Sequence, residues 1–199
     1  MSTKVEFETA LRRPRKDAQR NRERILEVAR EAFTEYGPEA TLDDIARRAQ
    51  VGPGTLYRHF PNRDALIEAV FRSQVERLIA AGERYAVTLG PLEALRAWML
   101  TFIDYVVDKL LILPAMDTLP GGSMRLIEGT RGVIHGMFRG LVGRAVESGE
   151  LLAGTDPDDL FRAFVGVFHT TSMPGWESSA RRIVGILLDG SRDTRRGNT

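Results

Sequence analysis

The chain has 199 residues, with 43% hydrophobic, 28% charged and no cysteine. That size suits one domain or two small ones sharing a core, and the balance excludes wholesale disorder. Without cysteine there is no disulfide scaffold, thiol catalysis or thiolate metal site, and no apolar run is long enough to cross a membrane. The first eleven residues lack the apolar stretch of a secretory signal, so the expected location is cytoplasmic. The three histidines, His59, His135 and His169, have no metal-ligand spacing, and no metal or cofactor is expected.

Net charge is +1, but it is unevenly placed. Seven basic residues from Arg12 to Arg24 stand against Asp17 and Glu23, a local +5 beside a remainder of −4. Such a basic patch suggests an anionic partner, although a solvated terminus would look the same. Residues 1–19 are read as a basic flexible arm.

The helical period recurs along almost the whole chain and nothing alternates like a strand. Ile25, Leu26, Val28, Ala29, Ala32, Phe33 and Tyr36 share one face of a helix expected from Ala18 to Tyr36, stopped by Gly37-Pro38. Thr41 can cap a short helix ending near Ala49, with Asp44 completing a capping-box-like pair. Pro53 suits the first turn of a third helix, through Phe60. Asn62 can cap a long helix from Arg63 to about Ala86. Later helices are expected at Leu92–Leu113, Met124–Ser148, Asp156–Thr171 and Trp176–Leu188, with Pro114 and the Pro120-Gly121-Gly122-Ser123 stretch bounding a loop or broken helix. The fold class is all-α, with about nine helices.

The informative stretch is TLDDIARRAQVGPGTLYRHF, residues 41–60. Ile45 and Leu56 supply contacts between two short helices, Ala46 permits close approach, and Val51 plugs the turn. The second helix then presents Thr55, Tyr57, Arg58 and His59 away from that core. Those groups suit the base edges and phosphates of a DNA major groove. The flanking set completes the expected DNA surface: Arg12, Arg13, Arg15, Lys16, Thr41, Arg47, Pro53, Gly54 and Arg63.

Ile25 to Leu66 resembles the N-terminal domain of the tetracycline-repressor (TetR) family of transcriptional regulators. The resembling residues are Phe33 with Gly37, Thr41 with Ile45-Ala46, and Gly54-Thr55-Leu56-Tyr57-Arg58-His59-Phe60, with Arg63 where a lysine is commoner. The LPGGS and PGWE segments are similar to the SbtR-like subgroup. Two positions depart from the pattern. Gln50 holds a turn position usually occupied by glycine, where left-handed φ costs a non-glycine on the order of 1 kcal/mol. Gly52 replaces the usual serine cap, a loss of a few tenths of a kcal/mol, roughly. The resemblance implies a helix-turn-helix domain over 20–66, a regulatory and dimerisation domain over 67–190, and a short flexible tail, 191–199. It also implies a ligand pocket in the C-terminal half and a dimer through the last two helices.

That half holds no recognisable catalytic constellation. Asp104 and Asp108, four apart, read as a solvated stripe rather than an acid–base pair. Trp98, Phe102 and Tyr105 share one helical face, either plain core or the wall of an effector site with His135 and Phe138. Gly129, Gly132, Gly136, Gly140 and Gly143 form a stripe that marks a tight helix crossing or space beside a cavity, the crossing being slightly favoured. Phe161, Phe164, Val165 and Phe168, with Ile183, Val184, Leu187 and Leu188, are expected at a homodimer interface. The leading reading is a homodimeric repressor on an inverted-repeat operator in double-stranded DNA, released by a small apolar or aromatic effector. The rival readings are a small all-α enzyme keeping a helix-turn-helix as a structural element, and an architectural DNA binder without an effector.

Overall fold

The computed structural model describes the backbone from Thr3 to Asp193 and side chains from Asp17 to Asp193. Eight α-helices make up the described residues: α1 (Thr3–Tyr36), α2 (Leu42–Arg48), α3 (Pro53–His59), α4 (Arg63–Thr88), α5 (Pro91–Met116), α6 (Gly122–Glu147), α7 (Pro157–Gly166) and α8 (Trp176–Gly190). Two 3₁₀ turns, Gly37–Glu39 and Val167–Thr170, complete the order. The all-α expectation holds, with eight helices where about nine were expected.

Several boundaries differ from the sequence reading. Helix α1 begins at Thr3 rather than Ala18, so residues 3–19 are continuous with it. Glu6, Glu8, Ala10, Leu11 and Lys16 are good helix formers and favour that extension. Helix α5 runs through Pro114 to Met116 instead of stopping at Leu113. Proline removes one helical donor, but Ile112, Ala115 and Met116 are at most 1% exposed, and Asp117 N–H still reaches Leu113 O at 2.9 Å. Tertiary burial overrides the local breaker here. Residues 167–170, expected as the end of one helix, tighten into a 3₁₀ turn after Gly166. The tail expected from 191 starts with an isolated antiparallel bridge between Leu151 and Arg192, with Leu152 N–H donating to Ser191 O at 2.9 Å. Residues 194–199 lie outside the described part of the chain.

The chain divides into two compact units. Met1–Ser73 with Leu110–Leu126 forms one, and Gln74–Lys109 with Ile127–Thr199 forms the other. This differs from a single boundary at 66/67, because the corner between α5 and α6 belongs with the N-terminal helices. In the first unit, Ile25, Ala29, Phe33, Ile45, Ala49, Leu56, Leu66 and Phe71 are completely buried. In the second, Trp98, Met99, Ile103, Phe138, Val142, Phe164 and Leu188 are equally inaccessible.

Candidate nucleic-acid interface and ligand cavity

The hairpin of α2 and α3 is built by local chemistry that the sequence announces. Thr41 Oγ1 accepts the Asp44 N–H at 3.2 Å and donates to Asp44 Oδ2 at 2.9 Å, so the cap and its acidic partner satisfy each other. The hydrogen bond from Thr41, with help from Arg47, holds the Asp44 carboxyl below its ordinary value. Helix α2 ends at Arg48 with Ala49 as its C-cap, and Gln50 adopts φ +52°, the only positive φ of a non-glycine among the described residues. Val51 N–H returns to Ala46 O at 3.0 Å across that left-handed residue, while Arg24 reaches Gln50 O at 3.5 Å. Gly52 caps α3 without a side-chain hydrogen bond, and Asn62 Oδ1 accepts from Ala65 N–H at 2.8 Å at the start of α4.

Leu56, fully buried, points α3 inward and leaves the opposite face in solvent. Pro53, Gly54, Tyr57 and Arg58 are exposed, while Thr55 and His59 are half-buried. Tyr57 shows 46% of its surface and lines a surface groove with Pro38, Ala40 and Thr41. Arg58 folds along α3, donating from Nε to Gly54 O at 3.0 Å and from a terminal nitrogen to Thr55 Oγ1 at 3.3 Å. Thr41 and Arg47 are exposed at the flank, with Arg47 paired to Asp44.

Arg63 has a different place from the one expected. Its guanidinium donates to Pro38 O at 2.9 Å, to Gly37 O and Ala40 O at 3.4 Å, and to Thr118 Oγ1 at 3.0 Å. The same group lies 5.4 Å from the centre of the Phe33 ring. Its donors therefore meet the turn after α1 and the corner after α5, where Arg63 clamps the two together. Two members of the basic segment also serve the fold: Arg22 covers the Phe60 ring at 5.6 Å, and Arg24 holds Gln50. Side chains of Arg12, Arg13, Arg15 and Lys16 lie outside the described residues.

The second unit contains a cavity of about 610 Å³ between α5, α6, α7 and the 3₁₀ turn that follows α7. That volume falls within the range of small-molecule sites. Phe102, Tyr105 and His135 line it, and so do Phe161, Val165 and Phe168, read from sequence as interface residues. Trp98 and Phe138 do not reach it. They stand behind the wall, Trp98 donating from Nε1 to Leu78 O at 3.1 Å and lying 5.5 Å from Phe102 and 6.0 Å from Phe138. Phe102 is the hub, with ring centres of Tyr105, Phe164 and Phe168 at 5.3–5.5 Å. His135 Nε2 approaches Asp158 Oδ1 at 3.3 Å, and Arg139 approaches the same oxygen at 3.6 Å. Burial pushes the Tyr105 phenol up, so it stays neutral, and draws the Lys109 ammonium down. Helical periodicity could have found Lys109, four residues beyond Tyr105 on the face it shares with Phe102, whereas Arg131 belongs to no apolar stripe.

The glycine stripe of α6 neither lines the cavity nor marks a helix crossing. A Cβ built on Gly129, Gly132, Gly136, Gly140 or Gly143 meets no atom within 4 Å. The close crossing is at Gly82 of α4, where a Cβ would lie 2.7 Å from Met137 Sδ and 2.8 Å from Trp98 Cδ1. Of the expected interface residues, Phe164, Val184 and Leu188 are at most 1% exposed within the protomer. They can support an interface but not touch a partner. Ile183 and Leu187 are half-buried, and Ile186 on the same helix is 69% exposed. Asp104 pairs with Arg181, consistent with a structural rather than a catalytic carboxylate. No group of three or more metal-ligating side chains and no membrane-length apolar helix occurs among the described residues.

Comparisons with known proteins converge on this architecture. The family profile described as bacterial regulatory proteins, tetR family, matches residues 25–70. A TetR transcriptional regulator from Streptomyces coelicolor is 37% identical, with TM-score 0.71 over 87% of this chain and 99% of that one. A TetR transcription regulatory protein from Mycobacterium vanbaalenii is 30% identical, with TM-score 0.70 over 90% and 99% of the two chains. The HTH-type transcriptional regulator UidR of Escherichia coli is 36% identical over 98 residues, 49% of this chain and 44% of that relative. The chain thus covers less than half the length of that curated relative. These relatives are regulators of transcription rather than enzymes.

Proposed function

Because the chain belongs to the TetR family of transcriptional regulators, we propose that it acts as a homodimeric repressor released from an inverted-repeat operator by a small effector. The observation that carries this reading is the exposed face of α3: Gly54, Tyr57 and Arg58 stand in solvent on a helix anchored by the buried Leu56. Thr55, Tyr57, Arg58 and His59 enter the major groove, with Pro53 and Gly54 at the helix start. Thr41 and Arg47 meet flanking phosphates, and Arg12, Arg13, Arg15 and Lys16 add charge contacts to the backbone. Arg63 is left out of this surface, since its donors are occupied within the fold.

The second unit takes an effector with an apolar or aromatic body in the 610 Å³ cavity, against Phe102, Tyr105, His135, Phe161 and Phe168. The outer face of α8, with Ile183, Ile186 and Leu187, meets a second copy, and two-fold symmetry then presents two copies of α3 to two half-sites. Selection of bound sequences from random DNA tests the reading. An inverted repeat should emerge, retained by a dimer in sedimentation. Selection of no preferred sequence, or a monomer on the selected DNA, would overturn it.

A further inference from the structure

We propose that the cavity selects a monoanionic ligand with an aromatic or otherwise apolar body, and that Lys109 sets this selectivity. The inference rests on the cavity being the effector site and adds the charge of the ligand. Lys109 and Tyr105 stand four residues apart on α5 and both line the cavity. Neither the Lys109 ammonium nor the Tyr105 hydroxyl has a partner among the described residues. Arg131 and Arg162 line the same space from α6 and α7. The one carboxylate among the lining residues, Asp158, has its buried Oδ1 3.6 Å from Arg139 and 3.3 Å from His135 Nε2 with no hydrogen bond to it, so Arg139 offsets its charge.

The energetic asymmetry follows from these neighbours. A partly desolvated ammonium without a counter-charge is costly, and burial alone draws Lys109 below its ordinary value. A neutral ligand would strip further water from that charge and return nothing. A cation would meet Lys109 and Arg131, while Arg162 is already paired with Asp159. A carboxylate offsets the cost by pairing with Lys109, can accept from the neutral Tyr105 hydroxyl, and leaves its apolar body against Phe161 and Phe168. Charge-assisted hydrogen bonds of this kind correspond to roughly tenfold or more in affinity.

The test is titration calorimetry of the full chain with three isosteric probes: 2-naphthoate, 2-naphthamide and 2-(aminomethyl)naphthalene. The wild-type protein should bind naphthoate about tenfold or more tightly than naphthamide, with the amine weakest. Lys109→Met, which conserves volume, should erase the preference by weakening naphthoate and strengthening naphthamide, and Lys109→Arg should restore it. Equal binding of naphthoate and naphthamide, or a preference surviving Lys109→Met, would overturn the anion inference while leaving the cavity as a ligand site. Failure of all three probes, or binding undisturbed by a cavity-filling Val165→Trp, would instead remove the effector-site reading and this inference with it.

Discussion

Two glycine-to-alanine substitutions should change stability in opposite directions, although each adds one methyl group to the middle of a long helix. At Gly136 on α6, the new Cβ meets nothing within 4 Å. The change removes only glycine's helix penalty, a gain of about 1 kcal/mol. For a chain of this length that corresponds to a rise of about 2–4 °C in Tm. At Gly82 on α4, the same methyl would lie 2.7 Å from Met137 Sδ and 2.8 Å from Trp98 Cδ1. Met137 can rotate away, but the Trp98 ring is completely buried and held by its hydrogen bond to Leu78 O. Overpacking of about 1–3 kcal/mol then outweighs the propensity gain. The expected outcome is a loss of up to about 2 kcal/mol, or up to about 8 °C. Calorimetric melting of both variants at several protein concentrations checks this. A Gly82→Ala protein as stabilised as Gly136→Ala would refute the crossing. A concentration-dependent loss for Gly136→Ala would show that the α6 stripe packs against another copy.

Arg63→Ala should lower stability by about 1–3 kcal/mol through loss of a charged donor set, and Arg63→Lys should fail to restore it. A variant with unchanged melting and weaker DNA binding would return Arg63 to the DNA surface. Gln74 is 5% exposed, with neither amide atom hydrogen-bonded among the described groups, so Gln74→Met should stabilise the fold by about 1–3 kcal/mol. A lower melting temperature would contradict that. Glu35 and Asp44 are both held below their ordinary values, Glu35 by Tyr36 and Arg48, Asp44 by Thr41 and Arg47. Depressed folded-state values mean that their stabilisation is complete above the ordinary carboxylate range and is lost as pH falls through it. Glu35→Gln with Asp44→Asn should therefore flatten the acid side of the stability curve, and an unaltered acid limb would show that these pairs do not matter to folding.

The parts of the fold legible in the sequence are those decided within a few residues. Thr41 and Asp44 close a cap three residues apart, Gln50 takes the left-handed turn, and Asn62 caps the helix after it. Each depends on local backbone chemistry that residue type and spacing express directly. The parts not legible depend on which distant surface covers a residue. Pro114 reads as a stop, yet burial of Ile112, Ala115 and Met116 carries α5 beyond it. Phe161, Val165 and Phe168 are an apolar stripe by spacing, and only the position of α5 and α6 shows that it faces a cavity. The glycine stripe misleads for the same reason, since spacing reveals a smooth helix face but not whether anything lies against it. Arg63 looked like a free cation because its acceptors, the carbonyls of Gly37 and Pro38 and the hydroxyl of Thr118, lie 25 or more residues away.

The central claim is that the exposed face of α3 reads DNA sequence. Fluorescence anisotropy of the selected duplex and a scrambled duplex, over a salt series, tests it with the wild-type chain and Tyr57→Ala. Nearly half of Tyr57 already stands in solvent, so its removal should lower melting only slightly. The expected result is a loss of about tenfold or more on the selected duplex, in line with 1–3 kcal/mol for a specific base-reading contact. Binding to the scrambled duplex should change far less, and the log–log salt slope should fall by at most about one phosphate contact. Undiminished affinity of Tyr57→Ala for the selected duplex, or an equal loss on both duplexes, would contradict the assignment of sequence reading to this face.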